Sequence, residues 1–382
     1  MKIAYVYSAM TNPGGTERII TEKANYLSES YGYDITIITC FQAADEKNYF
    51  ELSPKIKQIY LEIPFSTQYK YKYPKRLWIK GKLNWPLKKD IKRVVSQVDP
   101  DILIGVSRFK ADFISSLKCR AKKIIECHET RYNTNYDPSV KQLVPVRLFM
   151  PIYRRLYFIA IERNADAVVT LTKKDKLLWK RAKRIEAIPN FSTIPVSRCS
   201  DCTQKRVIAV GRLDWEKGFE RLIEAWGIVS SRFPDWHLDI YGNGHMYDTL
   251  TTMALTYHAN NLTIHNSSPN ISQEYSKSSI CAVTSYFEGF SLVLLEALKH
   301  GLPCVAFDCP FGPGDIIDDG KEGFLVKNGD IRLFAERICR LIEDEDLRKH
   351  LSKNAIERAK LFNIEVIMNQ WKTLFEDIIK LS

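Results

Sequence analysis

The sequence of 382 residues contains no apolar run as long as a membrane-spanning helix. Such a helix needs about 20 mainly apolar residues. The first residues, Met1 to Tyr7, resemble a β-strand and lack the apolar stretch and cleavage site of a signal peptide. We therefore expect a cytoplasmic protein. Its 45% hydrophobic and 26% charged residues are typical of a globular chain with its own core.

Cysteine pairs of the kind that hold a metal are also scarce. The nine cysteines are scattered, and four of them lie as small core residues in strand-like apolar runs: Cys40, Cys127, Cys281 and Cys304. Cys199 and Cys202 form one C-x-x-C pair, but no second pair or histidine pair completes a set of zinc ligands. We expect neither a metal nor a cofactor, with a metal or redox role for this pair as the alternative.

Short apolar runs alternate with helical patterns along most of the chain. The runs that predict strands cover residues 3–7, 35–39, 102–105, 123–127, 167–171, 206–210, 237–241, 280–284 and 304–307. Helical patterns lie between them, for example over 16–30 and 87–98. Strands that alternate with helices form parallel sheets with right-handed crossovers. The sequence therefore predicts an α/β protein.

A polar stretch around Pro195 interrupts this alternation and divides the chain. We predict an N-terminal Rossmann-like domain over 1–190, a linker over 191–204 and a C-terminal Rossmann-like domain over 205–362. An amphipathic helix over 363–382 is expected to pack back on the N-terminal domain. Two doubly wound domains would face a central cleft at the carboxyl ends of their strands, where α/β folds bind ligands.

The net charge of +11 predicts an anionic partner, and nucleotide phosphates, nucleic acid or an acidic membrane surface would each fit. A first candidate anion site is Gly14-Gly15, directly after the first strand. Adjacent glycines let the backbone turn sharply and approach a ligand, and the following helix start offers free N–H groups. The alternative is a tight turn capped by Thr16. The loop is not a G-x-G-x-x-G fingerprint, so a nicotinamide cofactor is disfavoured.

A second candidate lies over 211–218, where a strand leads into a helix. Arg212 can bridge phosphate oxygens through two donors, and Lys217 adds a mobile positive charge. Together they could neutralise a diphosphate and the charge that develops on it when a glycosyl bond breaks. The alternative is a loop with two solvated cations.

The third candidate is a pair of carboxylates, Glu288 and Glu296, eight residues apart around an apolar helix start. This spacing is slightly more than two helical turns, so both could address one ligand from one side. Gly289 permits close approach of the backbone, and a helix beginning near Ser291 would direct N–H groups at an anion. A surface glutamate pair is the alternative, and it fits poorly because the helix is apolar on nearly every side.

These motifs resemble those of the large retaining glycosyltransferase family four, which has the GT-B architecture. The E-x7-E motif matches Glu288 and Glu296, the G-R-L-x3-K-G element matches 211–218, and the Gly-Gly loop matches Gly14 and Gly15. The order and spacing of the motifs extend the resemblance over nearly the whole chain. Family members of this kind assemble bacterial polysaccharides or lipid-linked glycans.

Carried over position by position, the resemblance implies a donor site. Arg212 and Lys217 would hold the donor diphosphate. Glu288 would contact hydroxyls of the donor sugar, and Glu296 would bind the ribose. The remaining donor-binding residues would act through their backbone, close to the phosphates or the sugar: Gly14, Gly15, Gly289, Phe290, Ser291 and Leu292.

His128 follows a strand and matches the family's histidine at the junction of donor and acceptor. On its own, a histidine at a strand end is more often structural. With the resemblance, it joins Arg212, Lys217 and Glu288 as a predicted catalytic residue.

The implied reaction moves a hexose from a nucleotide-diphosphate donor to a glycan or lipid-linked acceptor, with retention and without a metal. A base contact near 265–269 would depend on backbone groups and stacking, and we favour uridine. The alternatives are a GDP-mannose-type mannosyltransferase and a non-catalytic nucleotide-sugar-binding subunit of a partner transferase.

Residues 68–93 carry ten lysines and arginines against one acid, Asp90. Five aromatic residues lie among them: Tyr69, Tyr71, Tyr73, Trp78 and Trp85. Cations with interfacial aromatics suit an anionic bilayer, and residues 146–163 could extend that surface. A flexible loop for a soluble anionic acceptor is the alternative. A nucleic-acid partner is not expected, because it leaves Glu288 and Glu296 unexplained.

Overall fold

The computed structural model describes residues 1–72, 75–107, 109–131 and 144–380, without the side chains of 69, 77 and 144–150. Tyr73 and the side chains of 146–150, which belong to the two predicted membrane-facing stretches, therefore lie outside the described part. The described residues form two compact units. The first contains the residues up to 188 together with 368–380, and the second contains residues 189–367.

The first unit is built on a sheet of seven parallel strands in the order β3-β2-β1-β4-β5-β6-β7. Its strands are β1 (Lys2–Tyr7), β2 (Asp34–Thr39), β3 (Lys57–Tyr60), β4 (Ile102–Val106), β5 (Lys122–Cys127), β6 (Ala167–Thr170) and β7 (Ile185–Ala187). Every residue of β4 is buried, as expected of a central strand covered on both faces.

Helices cover this sheet and connect its strands. They are α1 (Gly15–Glu29), α2 (Lys75–Val98), α3 (Ala111–Ser115), α4 (Val144–Asn164) and α5 (Lys173–Lys176), with a 3-10 turn at Phe65–Lys70. In α2, Leu87, Ile91 and Val95 are buried against the core, because they recur at helical spacing on one face.

The second unit repeats the design with six parallel strands in the order β10-β9-β8-β11-β12-β13. Its strands are β8 (Arg206–Val210), β9 (His237–Tyr241), β10 (Leu262–His265), β11 (Ile280–Val283), β12 (Cys304–Asp308) and β13 (Gly323–Lys327). Its helices are α6 (Phe219–Arg232), α7 (Tyr247–Thr256), α8 (Ile271–Ser276), α9 (Leu292–Lys299), α10 (Pro313–Ile316), α11 (Ile331–Glu343) and α12 (Glu345–Lys360), with a 3-10 turn at Trp215–Lys217.

The last helix, α13 (Ile364–Lys380), belongs to the first unit from Met368 onward. Its Trp371 and Phe375 are buried, and Asp377 pairs with Arg184 at 3.0 Å. Within the second unit, residues 191–204 contain the buried Phe191 and Ile194. None of the helices in the described ranges has the length and apolarity needed to cross a membrane.

The predicted class, two doubly wound α/β units, is confirmed. Four strands are absent from the sequence prediction: β3, β7, β10 and β13. All four are the outermost strands of the two sheets. β3, β7 and β10 contain no buried residue, which leaves a weaker apolar pattern, whereas β13 is mostly buried and is missed despite its apolar residues. The helix predicted from residue 87 begins at Lys75, so the described part of the basic stretch is mostly helical rather than a flexible loop.

Candidate functional site

The sheet of the second unit has a switch point between its neighbouring strands β8 and β11. From there the strand order runs outward to β9 and β10 on one side and to β12 and β13 on the other. Ligands of open α/β sheets bind beyond the carboxyl ends of the strands at such a point. The chain after β8 forms the loop 211–218, and the chain after β11 forms the segment 284–291, so two predicted motifs meet at this position.

Gly218 lets these two segments pack closely. Its φ of +61° lies in the left-handed region, and a Cβ at this position would collide with the carbonyl oxygen of Thr284. The Thr284 hydroxyl donates to the carbonyl oxygen of Lys217 at 3.2 Å. Arg221, at 7% exposure, lies beneath the segment, where it donates to the same Thr284 carbonyl and stacks 3.7 Å from the Tyr286 ring centroid. The backbone that carries Lys217 is therefore held against the backbone that carries Glu288.

Lys217 and Glu288 form an ion pair at the centre of this arrangement. The Lys217 ammonium lies 2.8 Å from Oε1 of Glu288, whose side chain is 9% exposed. The Ser285 hydroxyl donates to the same oxygen at 2.6 Å. A carboxylate held by one cation and one hydroxyl keeps lone pairs on Oε2 that can accept further hydrogen bonds. The cation and the carboxylate predicted to contact one donor are thus neighbours.

Glu296 lies in the body of α9, and its buried side chain accepts a hydrogen bond from the Tyr275 hydroxyl at 3.2 Å. Burial and the nearby Glu296 carboxylate raise the pKa of Tyr275 well above its ordinary value, so Tyr275 stays a donor. The helix start predicted near Ser291 is confirmed. Ser291 has extended backbone and caps α9, so Glu288 precedes the helix and takes different partners.

The amino end of α9 contains a buried polar atom without a partner. The Ser291 side chain is 2% exposed, and its hydroxyl has no hydrogen-bond partner among the described residues. An unpaired buried hydroxyl costs about 1–3 kcal/mol, so its presence calls for an explanation. Neighbouring Phe290 is buried and packs against Phe362 with a centroid distance of 5.9 Å and an interplanar angle of 56°.

Arg212 is exposed and already engaged by acids of its own loop. Its guanidinium pairs with Asp214 at 2.8 Å and with Glu216 at 3.1 Å, and 68% of its side chain is exposed. The sequence predicts either a solvated cation or a phosphate ligand at Arg212, and the pairing with two carboxylates of its own loop is not predicted. A phosphate would have to compete with them for the guanidinium.

The loop that follows β10 is ordered by Asn243. The side-chain amide of Asn243 donates to the Ser267 hydroxyl at 2.8 Å and accepts from the Ser267 backbone N–H at 3.2 Å. At its start, His265 stacks on Tyr241 with a centroid distance of 4.5 Å and an angle of 13°. These contacts hold the segment 265–269 at the same edge of the sheet as the loop 211–218.

In the first unit, the glycine loop begins helix α1. The helix begins at Gly15, with Gly14 as its N-cap and no side-chain cap, so the alternative of a turn capped by Thr16 is wrong. Glu17 in the first turn is 7% exposed and accepts a hydrogen bond from the Tyr7 hydroxyl at 3.2 Å. In this position the negative carboxylate interacts favourably with the positive end of the helix dipole.

His128 follows β5 and takes part in a buried chain of charged groups. Its Nε2 lies 3.2 Å from Oε2 of Glu126, and the other oxygen of Glu126 bonds to the ammonium of Lys23. Lys23 is 1% exposed, and its ammonium lies 3.8 Å from the ring centroid of Trp371 in α13. Burial alone would raise the pKa of Glu126, but Lys23 and His128 together lower it below its ordinary value. His128 is therefore held by an ionised carboxylate.

The C-x-x-C pair has separate backbone partners. The thiol of Cys199 donates to the carbonyl oxygen of Lys299 at 3.7 Å, and that of Cys202 donates to Gly301 at 3.4 Å. Across the described ranges, no cluster of three or more histidines, cysteines, aspartates or glutamates could hold a metal ion.

Sequence reasoning identified the charged motifs but missed their supporting residues. Ser285 lies only three residues before Glu288, so its hydrogen bond to that carboxylate joins neighbours in the sequence. Tyr275, Arg221 and Lys23 gave no local signal, because each acts on a residue at least 21 positions away in the chain.

The sequence is similar to a known family model and to known glycosyltransferases. Residues 193–358 match the family model described as glycosyl transferases group 1. The amylovoran biosynthesis glycosyltransferase AmsD of Erwinia amylovora is 27% identical over 388 residues, which cover 98% of this chain and 99% of the relative.

Two solved structures share the fold over nearly all of both chains. Sucrose-phosphate synthase from Thermosynechococcus elongatus has a TM-score of 0.81 at 20% identity and covers 100% of each chain. A TarM variant from S. aureus, crystallised with fondaparinux, α-GlcNAc-glycerol and UDP, has a TM-score of 0.76 at 16% identity, with 98% of this chain and 99% of the other covered. At these identities the likeness establishes the GT-B fold alone.

Proposed function

Because the chain is a glycosyltransferase with a group 1 domain over residues 193–358, we propose that it moves a hexose from a UDP-sugar to a glycan or lipid-linked acceptor. One observation carries the proposal. At the carboxyl ends of β8 and β11, a cation, two buried carboxylates and a buried hydroxyl without a described partner lie on neighbouring segments: Lys217, Glu288, Glu296 and Ser291.

Each of these groups suits one part of a nucleotide-sugar. The ammonium of Lys217 offsets the negative charge of the diphosphate, and the free lone pairs of Glu288 accept hydrogen bonds from sugar hydroxyls. The amino end of α9 favours a phosphate through its N–H groups, and the Ser291 hydroxyl supplies the donor that otherwise stays unpaired. Glu296, buried in an apolar helix, accepts from the ribose hydroxyls. Gly14, Gly15 and Arg212 are proposed as further phosphate contacts.

The proposed chemistry needs no metal ion. When the glycosyl bond breaks, negative charge grows on the leaving diphosphate, and preorganised cations and helix dipoles stabilise that charge most in the transition state. Lys217 and Arg212 would do so here. The acceptor would attack from the face that the diphosphate leaves, which gives retention, and the diphosphate would take the acceptor's proton. His128, held by Glu126, remains a proposed catalytic residue.

Uridine is the proposed base. The segment 265–269 offers backbone groups ordered by Asn243, and such groups suit the small uracil ring. The S. aureus TarM structure, which shares the fold, contains UDP. A GDP-mannose donor is the competing possibility and is an outcome of the test below.

For the acceptor side, we propose contact with the inner face of a membrane through residues 68–93. Trp78 and Trp85 of α2 are 63% and 69% exposed, and they lie on one helix face because they are seven residues apart. Lys82 and Lys89 lie 5.4 and 5.2 Å from the centroids of these rings. Exposed tryptophans with adjacent lysines favour an anionic lipid surface.

A thermal-shift panel tests the donor proposal. We expect UDP and UDP-hexoses to raise the unfolding temperature of the purified protein, and GDP, ADP and free hexoses to leave it unchanged. Stabilisation by GDP but not UDP would indicate the GDP-mannose-type enzyme. No response to any nucleotide would contradict the donor site.

A further inference from the structure

A small cationic cavity lies in the first unit, partly lined by the basic-apolar stretch 146–163. It measures about 210 Å³ and is lined by Arg131, Arg155, Ile159, Glu162, Leu178, Lys180 and Arg181. Four cations thus surround one carboxylate. Sites for whole cofactors or drug-sized ligands are usually about 300–1,000 Å³, so this cavity suits a group the size of a phosphate or diphosphate.

The floor of the cavity is a fixed ion pair. Glu162 is 2% exposed, and its Oε1 accepts from Arg131 Nη1 at 2.6 Å and from the backbone N–H of Arg181 at 3.2 Å. Arg131 also donates to the carbonyl oxygen of Leu178 at 2.7 Å and lies 5.0 Å from the Trp179 ring centroid. The one carboxylate of the cavity is therefore already occupied, and the floor is rigid.

The rim, in contrast, carries uncompensated charge. Arg155, Lys180 and Arg181 form no ion pair or hydrogen bond through their side chains within the described ranges. All three side chains are exposed, so solvent screens their mutual repulsion, but an anion bound among them would interact favourably with each charge. Arginine guanidinium groups bind phosphate oxygens in pairs, and lysine adds a point charge, so a phosphate ester fits the rim chemistry.

An apolar stripe adjoins the cationic rim on the same helix face. Ile152 and Leu156 of α4 are 58% and 61% exposed, and they lie one turn from Arg155 and Ile159. Large exposed aliphatic side chains beside a polar site mark an interaction surface. The ligand that matches both features is amphiphilic, with a phosphate group in the cavity and a hydrocarbon chain along the stripe.

We propose that this cavity binds the phosphate or diphosphate of a lipid-linked acceptor, with the lipid chain along Ile152 and Leu156. The inference deepens the proposed function, because it assigns the acceptor's chemical class and the residues that recognise it. It is independent of the donor residues of the second unit, so the two can fail separately.

Calorimetric titration with farnesyl diphosphate, inorganic diphosphate and farnesol tests the assignment. The variant Arg155→Gln/Lys180→Gln/Arg181→Gln removes the rim charges and keeps the floor. Its control, Lys47→Gln/Lys55→Gln/Lys118→Gln, removes the same charge from exposed lysines of the same unit that do not line the cavity. We expect the wild type and the control to bind farnesyl diphosphate, and the rim variant to bind it about 30-fold more weakly, equivalent to about 2 kcal/mol.

A second variant separates the two sources of phosphate. Ile152→Ser/Leu156→Ser should lose affinity for farnesyl diphosphate and keep that for inorganic diphosphate. Equal binding of both probes by the wild type would overturn the lipid assignment in favour of a soluble phosphate. Unchanged binding by the rim variant, or no binding of farnesyl diphosphate by the wild type, would overturn the site. A UDP thermal shift in every variant reports on the donor site separately.

Discussion

Replacing Glu296 by glutamine should weaken UDP binding by weakening its contact with the ribose. Glu296 is 6% exposed, so little water screens a hydrogen bond that its carboxylate accepts. The amide keeps the size of the side chain and can still accept from the Tyr275 hydroxyl, now found at 3.2 Å. The substitution therefore removes the charge without opening a cavity.

The expected loss follows from the strength of bonds to a carboxylate. A hydrogen bond to a charged group contributes about 1.5–3 kcal/mol, and a neutral acceptor gives roughly half of that. With both ribose hydroxyls on Glu296, the variant should bind UDP about 10- to 150-fold more weakly. The matched control is Glu322→Gln, which alters a buried carboxylate of the same unit that accepts from the Asp318 backbone N–H at 2.9 Å.

Titration calorimetry with UDP analogues that lack the 2′- or the 3′-hydroxyl isolates the contact. The wild type and Glu322→Gln should bind at least one analogue about tenfold more weakly than UDP, the cost of one lost bond to a charged group. For Glu296→Gln, the difference in affinity between UDP and its deoxy analogues should be much smaller. If Glu296→Gln discriminates between UDP and its deoxy forms as strongly as the wild type, Glu296 does not bind the ribose.

Three further predictions concern the cations, the acids around Arg212 and a buried aspartate. Lys217→Ala should lower turnover of the donor by about 100-fold while changing UDP affinity less than about fivefold, because the Lys217 charge acts most in the transition state. Initial rates and UDP titration measure the two effects, and an unchanged rate would contradict the prediction. Glu216→Gln should tighten UDP binding by up to about fivefold, because it releases Arg212 from an exposed ion pair that contributes at most about 1 kcal/mol. Weaker UDP binding would show that Glu216 does not compete with phosphate for Arg212. Burial raises the pKa of Asp175 to about 6, so the folded state binds more protons than the unfolded state between about pH 4 and 6, and stability falls as the pH rises. Urea unfolding should show a loss of about 3 kcal/mol across that window that Asp175→Asn lacks; parallel curves would refute it.

The repeated architecture is readable from the sequence because each central strand is buried on both faces. The bounds of β8 and β9 agree with the prediction, although β9 includes a buried aspartate, Asp239, among its apolar residues. Edge strand β3 has no buried residue, so its sequence lacks the pattern that predicts a strand. The conformation of such edge strands depends on a neighbouring strand rather than on local composition.

The charged motifs of the site are readable for a different reason. Lys217 and Glu288 belong to short segments with glycines at fixed positions, and such local patterns are visible in one sequence. Their pairing is not visible, since it joins residues 71 positions apart. The helix start near Ser291 is predicted correctly, but the separate partners of Glu288 and Glu296 are not, because Lys217 and Tyr275 are distant in the sequence.

Release of UDP from UDP-hexoses by the purified protein, measured with a metal chelator present, is a direct test of metal-independent transfer by this donor site. We expect release well above the rate without protein, undiminished by the chelator, and about 100-fold slower in Lys217→Ala. Tight UDP binding without release from any UDP-sugar or acceptor mixture would show a binding subunit. Release that stops when the chelator is added would contradict catalysis by the protein's own cations.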